Sequence, residues 1–253
     1  MSSVLVIAGY RFVDLDDGPA LRSRLHHDAL HADLKGTVLI APEGINLSLA
    51  GAPTVVDTWL AALQQDPRFA ALTVHRHHTP AVPFKRLRVK LKPEIIRMDQ
   101  PVVRPRDHRA PAVDAATLQH WLDRGHCDAG RPVVMLDTRN AFEVDAGAFS
   151  GAIDWRLSRF SDFPAALAAH RDSLQDKTVV SYCTGGIRCE KAALWMQAQG
   201  IDAVWQLDGG IHAWLRHTSR NGDLTCEAPA SPAISEAHWR GRCFVFDERV
   251  SVV

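Results

Sequence analysis

Apolar positions along the first hundred residues fall in short runs, and their periods alternate between strand-like and helical. Residues 4–13 (Val-Leu-Val-Ile-Ala-Gly-Tyr-Arg-Phe-Val) read as a buried strand. Leu21, Leu25, Leu30 and Leu34 recur at helical spacing and predict a helix over 19–34. Residues 37–40 and 47–50 read as two strands around the turn Pro42-Glu43-Gly44-Ile45-Asn46. A second helix is expected over 53–63, with Trp59, Leu60 and Leu63 on one side. Further strands are expected at 72–77 and 87–96. The order β-α-β-β-α-β predicts a ferredoxin-like α/β sandwich over residues 1–98.

The pattern then changes. Residues 99–113 are rich in proline and arginine and lack apolar periodicity, which marks a linker. Asp114 is placed to cap a helix running to about Arg124. Strands at 133–137, 178–182 and 203–207 alternate with helices near 163–174 and 188–199. That alternation predicts a parallel sheet flanked by helices over residues 114–220, followed by a C-terminal extension at 221–253. Ligands of such sheets sit beyond the C-terminal ends of the strands, where Asp137 and Cys183 fall.

Charge is balanced overall but unevenly spread. Residues 76–109 hold ten Lys or Arg against three Asp or Glu, a local excess of seven. A stretch of this kind favours a polyanion. At period two, Arg86, Arg88, Lys90 and Lys92 share one face of a strand, over a core face of Leu87, Val89 and Leu91. These four cations are candidate contacts to nucleic-acid phosphates; the competing reading is an ordinary solvated face. His75, His77 and His78 are read as solvated or RNA-facing, because no carboxylate or cysteine at suitable spacing completes a metal site. No metal and no cofactor are expected.

The N-terminus has no basic region or small-residue cleavage site, and no run is long enough for a membrane span, so a cytoplasmic protein without membrane association is expected. Five cysteines without regular spacing argue against a disulfide framework.

One of those cysteines carries the candidate chemistry. A β-branched run leads into Ser181-Tyr182-Cys183-Thr184-Gly185-Gly186-Ile187-Arg188-Cys189, a strand, a tight loop and a helix start. The N–H groups of Thr184, Gly185, Gly186 and Ile187, the helix N-terminus and the Arg188 charge all favour thiolate over thiol. Cys183 is therefore the candidate nucleophile; a buried core cysteine is the competing reading. Arg188 is expected to stabilise negative charge near the sulfur. Asp137 and Arg139 brace the pocket, in a structural or a catalytic role. Cys189 either resolves an oxidised Cys183 or points into the core. Cys127, Cys226 and Cys243 are read as packing residues, and Glu43, Gly44 and Asn46 as a turn facing the active site.

Four motifs in order resemble the rhodanese superfamily: Leu136-Asp137-Thr138-Arg139, Phe149-Ser150-Gly151-Ala152-Ile153, the Cys183 loop, and Asp208-Gly209-Gly210-Ile211-His212-Ala213-Trp214. Cys-Thr-Gly-Gly-Ile-Arg-Cys-Glu-Lys, the preceding domain and the segment Gly241 to Val250 narrow the resemblance. Together they are similar to the rhodanese-type, oxygen-dependent tRNA uridine hydroxylases. That resemblance implies an acylphosphatase-like N-terminal domain and an oxidoreductase that installs 5-hydroxyuridine at the wobble position of tRNA, with molecular oxygen as co-substrate. No obligate protein partner is implied. Longer members continue into a cysteine-bearing tail, so a short form is expected here.

The loop suits a thiosulfate-type sulfurtransferase carrying a Cys183 persulfide equally well, but that reading leaves the basic N-terminal stretch unexplained. A phosphatase is disfavoured, because four residues separate Cys183 from Arg188 and phosphatase loops resembling this one have five. A non-catalytic RNA-binding module on a rhodanese scaffold does not need the intact loop.

Overall fold

The structure, a computed structural model, describes residues 3–218, 238–245, 247 and 251–252. They form two compact units that divide after Arg97. The first contains β1 (Val4–Phe12), α1 (Gly18–His31), β2 (Lys35–Ala41), β3 (Gly44–Gly51), α2 (Pro53–Gln64), β4 (Val74–Thr79) and β5 (Leu87–Leu91). The sheet order is β4-β1-β3-β2-β5, antiparallel except where β5 joins β2 in parallel. This is the expected ferredoxin-like arrangement with an added edge strand.

Alternation along the strands builds its core. Ile7, Val38, Ile40, Ile45, Leu47 and Leu49 lie on one face and pack with Leu21 and Leu25 of α1 and Trp59, Leu60 and Leu63 of α2. Gly36 is required by its surroundings. Its φ is +129°, and a Cβ there would lie 2.1 Å from the Ser48 carbonyl oxygen.

Three local expectations shift for identifiable reasons. The helix expected to reach residue 34 ends at His31, because Asp33 turns left-handed at φ 48° and Leu34 donates its N–H back to the Ala29 carbonyl at 2.9 Å. Glu43 alone with Pro42 makes the hairpin turn, and Gly44 to Asn46 already belong to β3. The strand expected over 87–96 stops at Leu91, two residues before Pro93, which has no N–H for a ladder. Leu91 is 45 % exposed, so it does not join the core face assigned to it.

The second unit contains β6 (Ala112–Val113), α3 (Ala115–Arg124), β7 (Val133–Asp137), α4 (Ala141–Val144), β8 (Gly147–Phe149), β9 (Ile153–Asp154), α5 (Phe163–His170), β10 (Thr178–Tyr182), α6 (Ile187–Ala198), β11 (Val204–Leu207), α7 (Gly210–Thr218), β12 (Trp239–Gly241), β13 (Cys243–Phe244) and β14 (Ser251–Val252). Its main sheet runs β6-β11-β10-β7-β9, all parallel. All five residues of β10 are buried, as a central parallel strand covered on both faces requires. The stretch 99–113 contributes to this unit: Val103 and Ala110 are buried, β6 is the sheet's outer strand, and Arg109 pairs with Glu190 and Asp208, each at 2.8 Å. After the undescribed residues 219–237, which include Cys226, β12 pairs antiparallel with β8. Among the described residues no helix is long and apolar enough to cross a membrane.

Asp114 caps α3 as expected, accepting the Thr117 N–H at 2.8 Å, and Gly125 ends the helix at φ 76°. Replacing Asp114 with Ala is expected to destabilise the second unit by about 1 kcal/mol, with Asp114→Asn, which can still accept the Thr117 N–H, keeping most of the stability. Urea unfolding followed by tryptophan fluorescence measures both.

Candidate active site

The parallel sheet delivers Cys183 directly beyond the last residue of β10, and α6 begins four residues later. Between them the loop turns through Gly186 at φ 102°, a conformation that only glycine adopts without strain. The Gly186 N–H donates to the Cys183 sulfur at 3.1 Å. From the other side the start of α7 grips the loop: Ile211 N–H donates to the Cys183 carbonyl at 2.9 Å and His212 N–H to the Thr184 carbonyl at 3.1 Å. Gly210 permits that approach, since a Cβ at its φ of +60° would lie 2.4 Å from the Cys183 carbonyl oxygen. The Asp208-Gly209-Gly210 motif is therefore a clamp on the loop, a role that its sequence alone does not disclose.

Arg188 is fixed by a residue that the sequence reading did not single out. Its Nη1 and Nη2 donate to Glu143 Oε2 and Oε1 at 2.6 and 2.7 Å, and both side chains are buried. The Arg188 charge also acts on the Cys183 sulfur and favours its thiolate. Glu143 is set from the start of α4, its Oε2 accepting the Asn140 N–H at 3.0 Å. The Asn-x-x-Glu spacing at 140–143 is the signal that could have revealed it.

Asp137 and Arg139 form a fully buried pair, Nε to Oδ1 at 2.9 Å and Nη2 to Oδ2 at 2.6 Å. Arg139 then donates to the carbonyls of Glu143 and Gly147, at 3.2 and 2.6 Å, and lies over the rings of Tyr182 and Trp239. The pair touches the backbone that carries Glu143 and acts on the sulfur only through it.

Cys189 lies in the first turn of α6, fully buried. Its thiol contacts Thr138 Oγ1 at 3.7 Å. Burial pushes the Cys183 thiol up. The neighbouring Cys189 thiol, the Arg188 charge and the N–H groups of Arg188 and Gly186 outweigh it and bring Cys183 down to about 6. Burial and the adjacent Cys183 drive Cys189 well up, so the pair holds one thiolate and one thiol. Cys243 is buried in the core beside Phe149 and Trp239, and burial pushes it up to about 12. The Thr184 hydroxyl oxygen is buried and has no hydrogen-bond partner among the described residues.

In the first unit, Arg86, Arg88, Lys90 and Lys92 are all exposed. The histidine expectation is corrected in part: His77 is buried rather than solvated, while His78 is exposed and bonds Ser3 Oγ at 2.7 Å. Glu43 accepts the Ile95 N–H at 2.8 Å and Asn46 donates to the Ile95 carbonyl at 3.4 Å, so both fasten the chain that follows β5. Among the described residues no three His, Cys, Asp or Glu side chains are grouped to hold a metal ion.

Thiolate absorbance in the ultraviolet, taken as the difference from Cys183→Ser, is expected to rise with pH through about 6, well below the usual thiol value of about 8.5. Arg188→Met and Cys189→Ala each remove a group that favours the thiolate, so each is expected to move that midpoint upward. Glu143→Ala leaves a buried guanidinium uncompensated and is expected to cost about 3–5 kcal/mol in urea unfolding.

Residues 4–95 match the UPF0176 acylphosphatase-like domain and residues 114–217 the rhodanese-like domain. The chain is 55 % identical to a tRNA uridine(34) hydroxylase of Bordetella petrii, over 100 % of this chain and 94 % of that protein. It is 51 % identical to a protein of the same name from Variovorax paradoxus, over 98 % of this chain and 89 % of that one. A third, from Delftia acidovorans, is 50 % identical over 100 % of this chain and 90 % of its own length. Both domains match in order, and half or more of the residues are shared along essentially the whole length, so the chain belongs to the tRNA uridine(34) hydroxylase family.

Proposed function

We propose that this protein hydroxylates C5 of the wobble uridine of tRNA in the cytoplasm, with Cys183 as the nucleophile and molecular oxygen as the source of the oxygen atom. The observation that carries this reading is the Cys183 sulfur itself, drawn towards thiolate by Arg188, Cys189 and Gly186 in a chain half identical to named uridine(34) hydroxylases. A thiolate adds to C6 of uracil and moves the electron pair to C5, where oxygen reacts to give a C5 hydroperoxide. An external thiol reductant supplies two electrons and two protons, and the distal oxygen leaves as water. Loss of the C5 proton then expels the Cys183 thiolate and restores the 5,6 double bond.

The roles of the other groups follow from their positions. Arg188 and the loop N–H groups stabilise the thiolate as it adds and as it leaves. Glu143 is a positioning residue that holds Arg188, and Asp137 and Arg139 support the backbone beneath it. The Thr184 hydroxyl is the unpartnered polar group nearest in sequence to the sulfur and is available to the substrate. Cys183 is fully buried, so a uracil ring reaches it only after the surrounding chain opens. Arg86, Arg88, Lys90 and Lys92 hold the tRNA backbone, and the energy of those contacts offsets the few kcal/mol needed to unstack a base.

Nucleoside mass spectrometry on bulk tRNA tests the reaction. In a deletion strain 5-hydroxyuridine derivatives are expected to disappear, returning with the wild-type gene and not with Cys183→Ala. Unchanged nucleosides would sink the hydroxylase reading and favour thiosulfate-dependent sulfur transfer, which the purified protein would then show. Replacing Arg86, Arg88, Lys90 and Lys92 together with Ala is expected to weaken tRNA binding and to flatten its log–log salt dependence by about 3. Affinity titrations across salt concentrations measure this, and an unaltered slope would remove the strand from the binding surface.

A further inference from the structure

The sheet of the first unit has two unlike faces. The cross-strand rows Ile7–Leu49–Gly36–Leu87 and Gly9–Leu47–Val38–Val89 belong to the face that packs against α1 and α2. The alternate positions form the rows His75–Ala8–Ser48–Thr37–Arg88 and Tyr10–Asn46–Leu39–Lys90 on the opposite face. In the interior of a five-stranded sheet, residues beneath a packed layer are sealed, as the first face shows. On the second face Ala8, Ser48, Thr37, Tyr10, Asn46 and Leu39 are only half-buried, so solvent reaches the middle of the sheet. One end of that face is closed, where Val6, Ala50 and His77 are buried.

The chemistry of the open rows is specific. Ala8, Ser48 and Thr37 make a low, flat floor with two hydroxyls. Tyr10 borders it, its ring held edge-to-face against Phe12 at 5.8 Å. Arg88 and Lys90 stand exposed at the β5 edge of the same two rows, and neither row contains an acidic residue. Flat small side chains admit a planar heterocycle, an aromatic ring stacks on one, hydroxyl and amide groups bond base edges, and edge cations take phosphates. Open four-stranded sheets bind unstacked bases by this combination.

We propose that this face, opposite α1 and α2, is the platform on which unpaired nucleotides of the RNA substrate lie, with the backbone running along β5. The inference rests on the tRNA reading above and extends it: the cations of β5 mark the rim of a base-binding surface, and the floor, not only the charge, recognises the RNA. It places loop nucleotides rather than duplex on the first unit, because a duplex cannot present base faces to a flat sheet.

The test uses the full chain and a fluorescently labelled anticodon stem-loop, followed by anisotropy. Ser48→Glu puts an anion on the floor two strands from β5, Thr37→Glu puts one directly beside Arg88, and each is expected to weaken binding about tenfold or more. Thr37→Val and Ser48→Ala remove only a hydroxyl and are expected to weaken binding by a smaller factor, about two- to fivefold, and circular dichroism reports whether all four fold. Independently of any variant, the stem-loop carrying 4-thiouridine in its loop is irradiated on the wild-type protein. Crosslinks are expected in the peptides that contain Tyr10, Thr37 or Ser48. Wild-type affinity in both glutamate variants, or crosslinks confined to other segments, would overturn the platform and leave the hydroxylase reading standing. Failure of the wild-type protein to bind the stem-loop at all would overturn the tRNA reading together with the platform.

Discussion

The second unit is organised around a guanidinium kept out of water by a carboxylate. Arg188 cannot be buried beside the Cys183 sulfur unless its charge is compensated, and the two oxygens of Glu143 compensate it in a bidentate pair. Much of the surrounding structure serves that contact. Asn140 starts the short helix that aims Glu143. The Asp137–Arg139 pair anchors the backbone on either side of it, and β8 supplies the Gly147 carbonyl that Arg139 bonds. A buried pair of this kind adds little net stability compared with a well-packed apolar pair, and its value here lies in where it puts the positive charge.

That charge decides the state of the sulfur. Burial by itself would protonate Cys183, and Arg188, Cys189 and the loop N–H groups reverse the balance. The two cysteines are thereby differentiated although both are buried in one turn of chain. The one that follows the strand carries the charge, and the one inside the helix keeps its proton. This arrangement answers the open question of Cys189 in part: it is a buried residue and also a direct neighbour of the nucleophile.

The first unit solves a different problem with a different resource. Two helices on one side of an antiparallel sheet leave the other side to be used, and alternation along the strands makes the two sides chemically independent. Apolar residues fill one side. Small, hydroxylated, aromatic and cationic residues occupy the other, and β5 adds the densest positive charge at its edge.

The sequence by itself determined the order of elements in the first unit, the three central strands of the second, both domain types, the cap at Asp114, the strand-loop-helix around Cys183 and the alternation of cations on β5. These are local properties: periodicity, capping and turn chemistry act over a few residues and can be read in one dimension. It misjudged ends, where a single Asp33 in a left-handed turn or Pro93 beyond Leu91 stops an element that hydrophobicity alone would continue. Only the tertiary structure decided that Glu143, 45 residues from Arg188 along the chain, holds it, that Gly210 clamps the loop, and that the Cys189 thiol turns to Thr138. Those contacts depend on which strands of the sheet are neighbours. Strand pairing is a long-range choice set by packing, and nothing in the local pattern around any one of these residues encodes it.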